Sequence, residues 1–198
     1  ESTSPAAAKK TLAVHRAIFE EAGLSKAFSR AVGLVVQPGV EFGNHNVIPY
    51  ARTKAAALSK LLAEEPQFVF EAHSTDYQGT ARLRELVEDG FPILKVGPEL
   101  TFALREALYG LDHIASELLK GYGDRRLAKT MENVMLADPR NWAKHYFGAP
   151  HEQRLLRHFS LSDRIRYYWA GPESQTAVRY LFDGLRGKRV PLPLITQY

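Results

Sequence analysis

The sequence predicts an α/β fold, with a parallel sheet and its helices in the first part of the chain and a small all-helical appendage in the second. Three short apolar runs between residues 31 and 96 each precede a segment with helical periodicity. Successive strand–helix units place their strands parallel, joined by right-handed crossovers. We therefore predict a boundary between residues 1–120, with three strand–helix units, and residues 121–198, the appendage.

The first helix and the first strand have clear start and stop signals. Ser4 and Pro5 suit an N-cap and the first helical position, and Gly23 suits the end of the helix that follows. Residues 31–36 form an apolar run without alternation, which is typical of a strand buried on both faces of a parallel sheet. Pro38, in the turn after this run, ends the strand.

The later strand–helix units repeat this order. A helix is predicted over residues 53–63, followed by a short strand at 68–72 and a polar loop. The next helix covers residues 80–89, and the third strand covers residues 92–96. The long helix after it, residues 99–119, has apolar side chains every three or four positions, so one face is predicted to be buried.

The appendage is predicted to be helical because apolar residues recur at helical spacing and prolines stand at several helix starts. Residues 191–195 contain two prolines in five positions and are predicted to be an extended C-terminal tail. The predicted helices of the appendage are residues 125–135, 138–146, 150–158, 162–169 and 172–185.

Composition narrows the classes of function. The net charge is +4 at pH 7, which suits anionic substrates as well as nucleic acid. Cysteine is absent, so disulfides and thiolate chemistry are excluded, and a reducing cytoplasm is the expected compartment. No apolar run approaches the roughly 18 residues of a membrane span, so we expect no membrane association.

Two nucleotide-related readings are not favoured. Residues 164–169 interleave basic and aromatic side chains that could stack on bases, but such a stretch is more often an amphipathic helix with its aromatic rings packed inward. Without a matching fold signature, we predict no nucleic-acid partner. No G-x-x-x-x-G-K-[ST] phosphate loop occurs, so an ATP site is unsupported within these residues.

The loops that follow the three strands are the expected place for chemistry, because parallel barrels build their active sites there. His73 directly follows a buried strand, and a neutral imidazole at this position suits a divalent metal ion. The alternative is a structural histidine that bonds a neighbouring loop. Glu71 and Lys95 lie near strand ends, where catalysis and a buried ion pair explain them equally well.

At these strand ends the sequence resembles a known family. The similar runs are LVVQPGVEF, FEAHSTDYQ, ILKVGPELTFALREAL, SDRIRYYW and PLPLITQY. They resemble the Z-type subunit of class II D-tagatose-1,6-bisphosphate aldolase, and the similarity covers essentially the whole chain. The resemblance implies that residues 1–120 are the C-terminal part of a (β/α)8 TIM barrel. Three strands cannot close a barrel, so we expect the other strands to precede Glu1.

The resemblance favours a supporting, non-catalytic subunit in sugar-phosphate metabolism, with a 4-epimerase as the alternative. The Z-type subunit is non-catalytic and supports the stability and full activity of a second subunit, the catalytic, zinc-dependent aldolase. The catalytic subunit is therefore the expected partner. Some members resemble metal-dependent 4-epimerases that interconvert tagatose 6-phosphate and fructose 6-phosphate, so a phosphorylated ketohexose is the expected ligand. The family is also labelled as a tagatose-6-phosphate kinase, a reading that the absent nucleotide motifs disfavour.

Three departures from catalytic class II aldolases argue against ordinary aldolase activity. Those enzymes carry a glycine-rich phosphate loop after the metal-binding histidine that His73 matches, whereas this chain continues with Ser74. At the end of the preceding strand, where the aldolases carry a second metal-binding histidine, this chain has Gln37 or Pro38. After the final strand it has Gly97, where the aldolases tend to carry asparagine.

The site residues implied by the epimerase reading can be stated individually. His73 is the predicted ligand of a divalent metal, zinc or similar. Glu71 or Asp76 is the predicted acid/base group, and Lys95 is the predicted stabiliser of negative charge. The residues predicted to contact the substrate or its phosphate are Gln37, Glu41, Ser74, Gly97 and Thr101, the last at a helix start with free N–H groups.

Overall fold

The computed structural model describes residues 2–198, which form two compact units divided between Gly97 and Pro98. The fold belongs to the predicted α/β class, with a parallel sheet. The sequence placed the boundary at residue 120. In the structure the long helix after the third strand is grouped with the helical unit, where it packs against two of that unit's helices.

The first unit contains four helices and five short strands among its described residues, and its helix starts follow local signals. The Ser4 hydroxyl accepts a hydrogen bond from the Ala7 amide and Pro5 occupies the first turn, as predicted. The elements in chain order are α1 (Pro5–Glu21), α2 (Ser25–Phe28), β1 (Gly33–Val36), β2 (Glu41–Phe42), β3 (Val47–Ile48), α3 (Arg52–Ser59, continued by a 3-10 turn, Lys60–Ala63), β4 (Val69–Ala72), α4 (Gly79–Glu88) and β5 (Ile93–Leu94).

The prediction of three parallel strands is confirmed. β4 lies between β1 and β5, and both pairings are parallel, with Val35 opposite Glu71 and Glu71 opposite Ile93. The sequence pattern does not predict the antiparallel hairpin of β2 and β3. Two-residue strands carry too little periodic pattern to distinguish them from a turn.

The apolar run at residues 31–36 predicted a strand buried on both faces. This prediction is wrong for this chain, because one face of the sheet is exposed. Leu34 and Phe70 are buried against the helices of the first unit, whereas Val35 on the opposite face is 52% exposed and Ile93 is 39% exposed. An apolar strand shows that both faces can be covered, but only the packed structure shows which face is covered.

The second unit is helical within the described residues, and two predicted helices there are replaced by short 3-10 turns. Residues 138–146 contain only the turn Pro139–Asn141, and residues 162–169 contain the turn Arg164–Tyr168. The other elements are α5 (Pro98–Leu118), α6 (Arg126–Ala137), α7 (Pro150–Phe159), α8 (Pro172–Leu185) and α9 (Leu192–Gln197), around a core that includes Leu127, Met131, Met135, Ile165 and Leu181.

The predicted extended tail is also wrong, because Leu192–Gln197 forms a short helix. Pro193 stands in its first turn, where the missing N–H has no intrahelical acceptor and the fixed φ of proline suits helix. Within residues 2–198, none of the helices combines the length and apolar character of a bilayer span.

The first amides of helix α6 are capped by a side chain of α5, which the local sequence at the start of α6 does not predict. The buried Asp112 carboxylate accepts hydrogen bonds from the Leu127 and Ala128 amides, at 2.9 and 3.0 Å, and from the Tyr122 hydroxyl at 2.7 Å. The residue at the N-cap, Arg125, makes no side-chain capping bond. A carboxylate from a neighbouring helix therefore satisfies the free amides that begin α6.

Candidate functional site

The candidate site lies at the carboxyl ends of β1, β4 and β5. Since the three strands are parallel, these ends share one edge of the sheet, where α/β folds gather their functional loops. The His73 amide donates to the Val36 carbonyl, and the Lys95 amide donates to the Ala72 carbonyl. The ladder therefore continues beyond the strands and brings the predicted loops side by side within the first unit.

The loop after β4 is joined to the loop after β5 by two buried side chains. The Thr75 hydroxyl donates to the Lys95 carbonyl at 2.8 Å, and the Asp76 carboxylate accepts from the Gly97 amide at 2.8 Å. Their exposures are 0% and 3%. We call these two bonds the Thr75–Asp76 clasp. It fixes the position of Lys95 relative to β4.

The same loop turns sharply, which is what directs both clasp residues inward. Ser74 and Tyr77 on either side have φ of 60° and 63°, in the left-handed region that non-glycine residues seldom adopt. At its far end the Gln78 side chain accepts from the Tyr50 amide at 2.8 Å and donates to the Ile48 carbonyl at 3.2 Å. The loop is thereby tied to the segment that follows the β2–β3 hairpin.

Among the predicted catalytic and metal-binding side chains, Glu71 and His73 are in direct contact. The Nε2 atom of His73 lies 3.0 Å from Oε1 of Glu71, and the two side chains are 25% and 30% exposed. A neutral imidazole that donates through Nε2 keeps Nδ1 as an acceptor. The pair can therefore hold a proton and remains accessible to a ligand.

The buried Glu71–Lys95 ion pair considered from the sequence is not formed among residues 2–198. Lys95 is exposed, and Glu71 contacts His73 instead. Alternation along the chain places Lys95 on the same side of the sheet as Ile93, whose backbone pairs with Glu71. The Lys95 side chain is therefore exposed on the sheet face that carries Glu71.

Gln37 and Glu41 lie in the segment after β1, in different environments. The backbone of Gln37 exchanges hydrogen bonds with Thr3, and its side-chain oxygen is buried with no hydrogen-bond partner. Glu41 stands on β2 with an exposed side chain that accepts from the Phe42 amide at 3.3 Å. Substrate contacts of Gln37 and Glu41 remain predictions.

Thr101 lies in the second unit, on α5. Its hydroxyl donates to the Asp163 carboxylate at 2.6 Å, and the Nε atom of Arg105 donates to the same carboxylate at 3.0 Å. The hydroxyl is therefore already engaged in a structural bond. Binding of a phosphate by Thr101 remains a prediction.

The described residues supply only part of a metal site. Within residues 2–198, no group of three or more histidine, aspartate or glutamate side chains is placed to hold a metal ion. Glu71 and His73 provide two adjacent donors, whereas protein metal sites of the zinc type use three or four. The residues of this chain alone do not fit a complete metal centre.

Comparison with known proteins identifies the family. The model of the D-tagatose-1,6-bisphosphate aldolase subunit GatZ/KbaZ-like family matches residues 1–198. The chain belongs to this family. A curated relative, D-tagatose 6-phosphate 4-epimerase of Agrobacterium fabrum (strain C58 / ATCC 33970), is 57% identical over 196 residues, which is 99% of this chain and 46% of the relative.

A solved structure extends the comparison of this GatZ/KbaZ-like chain. It is described as a probable tagatose 6 phosphate kinase from Sinorhizobium meliloti 1021, and it is 60% identical, with a TM-score of 0.97 over 100% of this chain and 51% of that chain. The GatZ/KbaZ-like chain thus spans about half the length of the relatives that it matches.

The sequence pattern does not distinguish Thr75 or Gln78 from the other polar residues of the loop. The buried side chains of both join segments that are 20 or more positions apart in the chain. A polar loop after a buried strand was the available signal, but it does not distinguish side chains that face solvent from those that bridge loops. The sequence predicted Asp76 as an acid/base candidate, whereas the structure engages it with Gly97.

Proposed function

We propose that the protein to which this chain belongs acts on a phosphorylated ketohexose as a tagatose-6-phosphate/fructose-6-phosphate 4-epimerase. Membership of a tagatose-bisphosphate aldolase-related family supports the substrate class. The single observation that carries the catalytic proposal is the accessible Glu71–His73 pair at the strand ends, on the sheet face that also carries the exposed Lys95. The name of the 57% identical relative supports the same reaction.

The proposed reaction breaks and remakes one carbon–carbon bond. Removal of the proton from the C4 hydroxyl turns C4 into an aldehyde, and the electrons of the C3–C4 bond pass to C3, giving an enediolate that extends to the C2 oxygen. Rotation of the aldehyde followed by attack of C3 on its opposite face restores the bond with inverted C4. The proton then returns to the C4 oxygen, so no atom is gained or lost.

The residues of this chain have separate roles in that proposal. Glu71 is the better placed of the two predicted acid/base groups, because the Asp76 carboxylate is buried and bound to Gly97. His73 orients Glu71 through the 3.0 Å contact and shares its proton. The Lys95 ammonium stabilises the enediolate oxygen. A divalent metal would polarise the same oxygens, and His73 remains its predicted ligand.

The barrel prediction belongs to the same proposal. We infer that β1, β4 and β5 are three strands of a (β/α)8 barrel whose remaining strands come from other parts of a longer protein. The exposed sheet face with Val35, Glu71 and Ile93 is then the inner wall of the barrel. This arrangement would let other strands contribute further metal ligands and substrate contacts.

The test of the epimerase proposal uses the full-length protein with fructose 6-phosphate and a divalent metal, with tagatose 6-phosphate as the measured product. We expect turnover, and a loss of about 100-fold or more for Glu71→Gln and for His73→Ala. His151→Ala is the matched control, because His151 is an exposed histidine on α7. Full activity of His73→Ala would refute the assignment.

A second candidate function is support of a catalytic aldolase subunit, and the family description favours it. It predicts no turnover of fructose 6-phosphate or tagatose 1,6-bisphosphate by the purified full-length protein. It also predicts a higher melting temperature and activity of the catalytic subunit on mixing. Turnover without the partner would exclude a purely supporting role. The kinase reading rests on a family label and on the name of the solved relative, without a nucleotide motif in this chain.

A further inference from the structure

The second unit contains a cleft that none of the functions above uses. It has a volume of about 420 Å³, and its floor is one face of α5, with Arg105, Tyr109 and His113 at successive helical turns. Arg125 and Tyr198 also line it. The rings of His113 and Tyr198 stack in parallel with centroids 4.6 Å apart. The cleft therefore combines aromatic walls with two guanidinium groups.

Arg105 is buried and paired with Asp163, but one of its nitrogens has no hydrogen-bond partner. Its side chain is 2% exposed, and its Nε atom donates to the Asp163 carboxylate at 3.0 Å. Its guanidinium carbon lies 4.1 Å from the centroid of the Phe102 ring. The Nη2 atom is nevertheless buried with no hydrogen-bond partner. A buried charged donor without an acceptor is costly, so the position favours an acceptor that arrives from outside the chain.

Arg125 also has a guanidinium nitrogen without a hydrogen-bond acceptor. Its Nε atom is buried with no partner, and no carboxylate lies within ion-pair distance of its side chain in the described part of the chain, residues 2–198. Its φ of 44° is left-handed, which is unfavourable for arginine and often accompanies functional positions. The two guanidinium carbons lie 5.8 and 5.9 Å from the centroid of one ring, that of Tyr109.

The charges around the cleft limit where an anion can bind. Asp163 offsets the charge of Arg105, and Glu106 adds a negative charge to the lining. Asp124, next to Arg125, pairs with Lys129 at 2.8 Å instead. The most favourable position for an anion is thus beside Arg125 and the Nη2 atom of Arg105, away from Glu106.

We propose that this cleft binds the phosphate group of a small phosphorylated ligand, with Arg125 Nε and Arg105 Nη2 as donors. Guanidinium groups form charge-assisted hydrogen bonds with phosphate oxygens, and such bonds satisfy both buried nitrogens. The aromatic walls accommodate the uncharged part of the ligand. The proposed donors are residues of the second unit, and the proposal stands whichever of the proposed functions holds.

The test measures binding of inorganic phosphate to the full-length protein by calorimetry at constant ionic strength. Arg125→Asn removes the donor while suiting the left-handed backbone, and we expect it to weaken binding about tenfold or more. Arg140→Gln is the matched control, because Arg140 is 81% exposed and lies outside the cleft. Equal affinities of the parent and Arg125→Asn would overturn the proposal.

A second variant keeps the test independent of the arginines. Glu106→Gln removes the opposing charge, and we expect phosphate affinity to rise a few-fold. Anomalous diffraction from crystals soaked in selenate locates the anion directly. A peak beside Arg125 supports the proposal. Only water at that position, or an affinity that Glu106→Gln leaves unchanged, contradicts it.

Discussion

At the residue scale, the carboxylates of Asp76 and Glu71 differ in what they contact. Asp76 is buried and accepts the Gly97 amide, whereas Glu71 is partly exposed beside His73. A buried carboxylate that holds a backbone amide is suited to positioning a loop, and an accessible one is suited to proton transfer. The same residue type thus serves two purposes within six positions of the chain.

The positioning role of Asp76 predicts different effects for two substitutions. Asp76→Ala leaves the Gly97 amide without an acceptor and is expected to lower the free energy of unfolding by about 1–3 kcal/mol. Asp76→Asn keeps an oxygen acceptor and is expected to lose clearly less stability and activity than Asp76→Ala. Urea denaturation and the epimerase assay measure both. Equal inactivation without loss of stability would instead indicate an acid/base role.

At the element scale, α6 depends on a residue of α5 for its start. Asp112 satisfies two amides of the first turn of α6 and the Tyr122 hydroxyl, while the Ser116 hydroxyl accepts the Arg125 amide. The two helices therefore stabilise each other through polar contacts as well as through the core. Capping from another helix gives the second unit a specific arrangement of α5 and α6.

Removal of this cap is expected to destabilise the second unit. Asp112→Ala leaves three buried donors without their acceptor, and we expect a loss on the order of 3 kcal/mol in the free energy of unfolding. Asp124→Asn is the control, because that exposed carboxylate pairs only with Lys129 on the surface. Urea denaturation followed by circular dichroism measures both. A loss below that of Asp124→Asn would contradict the capping role.

At the scale of the whole molecule, a buried histidine links stability to pH. His158 lies between the Tyr109 hydroxyl at 2.6 Å and Glu132 at 3.0 Å. Burial lowers the pKa of His158 from about 6.5 to about 4; Arg154 and Arg157 act in the same direction, and Glu132 opposes them. Between those two values the unfolded chain binds a proton that the folded chain does not.

Stability is therefore expected to fall as the pH decreases from about 6.5 to about 4, and to be fully retained above that window. The expected loss from this residue is about 1–3 kcal/mol. His158→Gln removes the titrating group, so its stability should depend less on pH across the same window. Thermal unfolding at several pH values checks this, and equal slopes for parent and variant would refute it.

The exposed sheet face predicts how residues 1–198 behave in isolation. Val35 and Ile93 on that face are 52% and 39% exposed, which favours self-association. We expect oligomers in sedimentation velocity, and less association for Val35→Lys. Val14→Lys, at a 47% exposed position on α1, is the control. A cooperative monomer of the parent chain would contradict this prediction.

The sequence by itself determined the class of the fold, the parallel order of the strands and the bounds of most helices. These features depend on local patterns: Ser4 and Pro5 begin α1, and α8 has the predicted bounds Pro172–Leu185. The strand-end position of Glu71 and His73 was predictable for the same reason.

Only the tertiary structure decided how the polar side chains are used. The contacts of Thr75 with Lys95, Asp76 with Gly97 and Asp112 with Ala128 join residues 16 to 21 positions apart. No local periodicity specifies such bonds, because each depends on where two separately formed segments meet. The sequence likewise does not predict that Arg105 and Arg125 each keep a nitrogen without a hydrogen-bond partner, because this depends on which side chains surround them in the folded cleft.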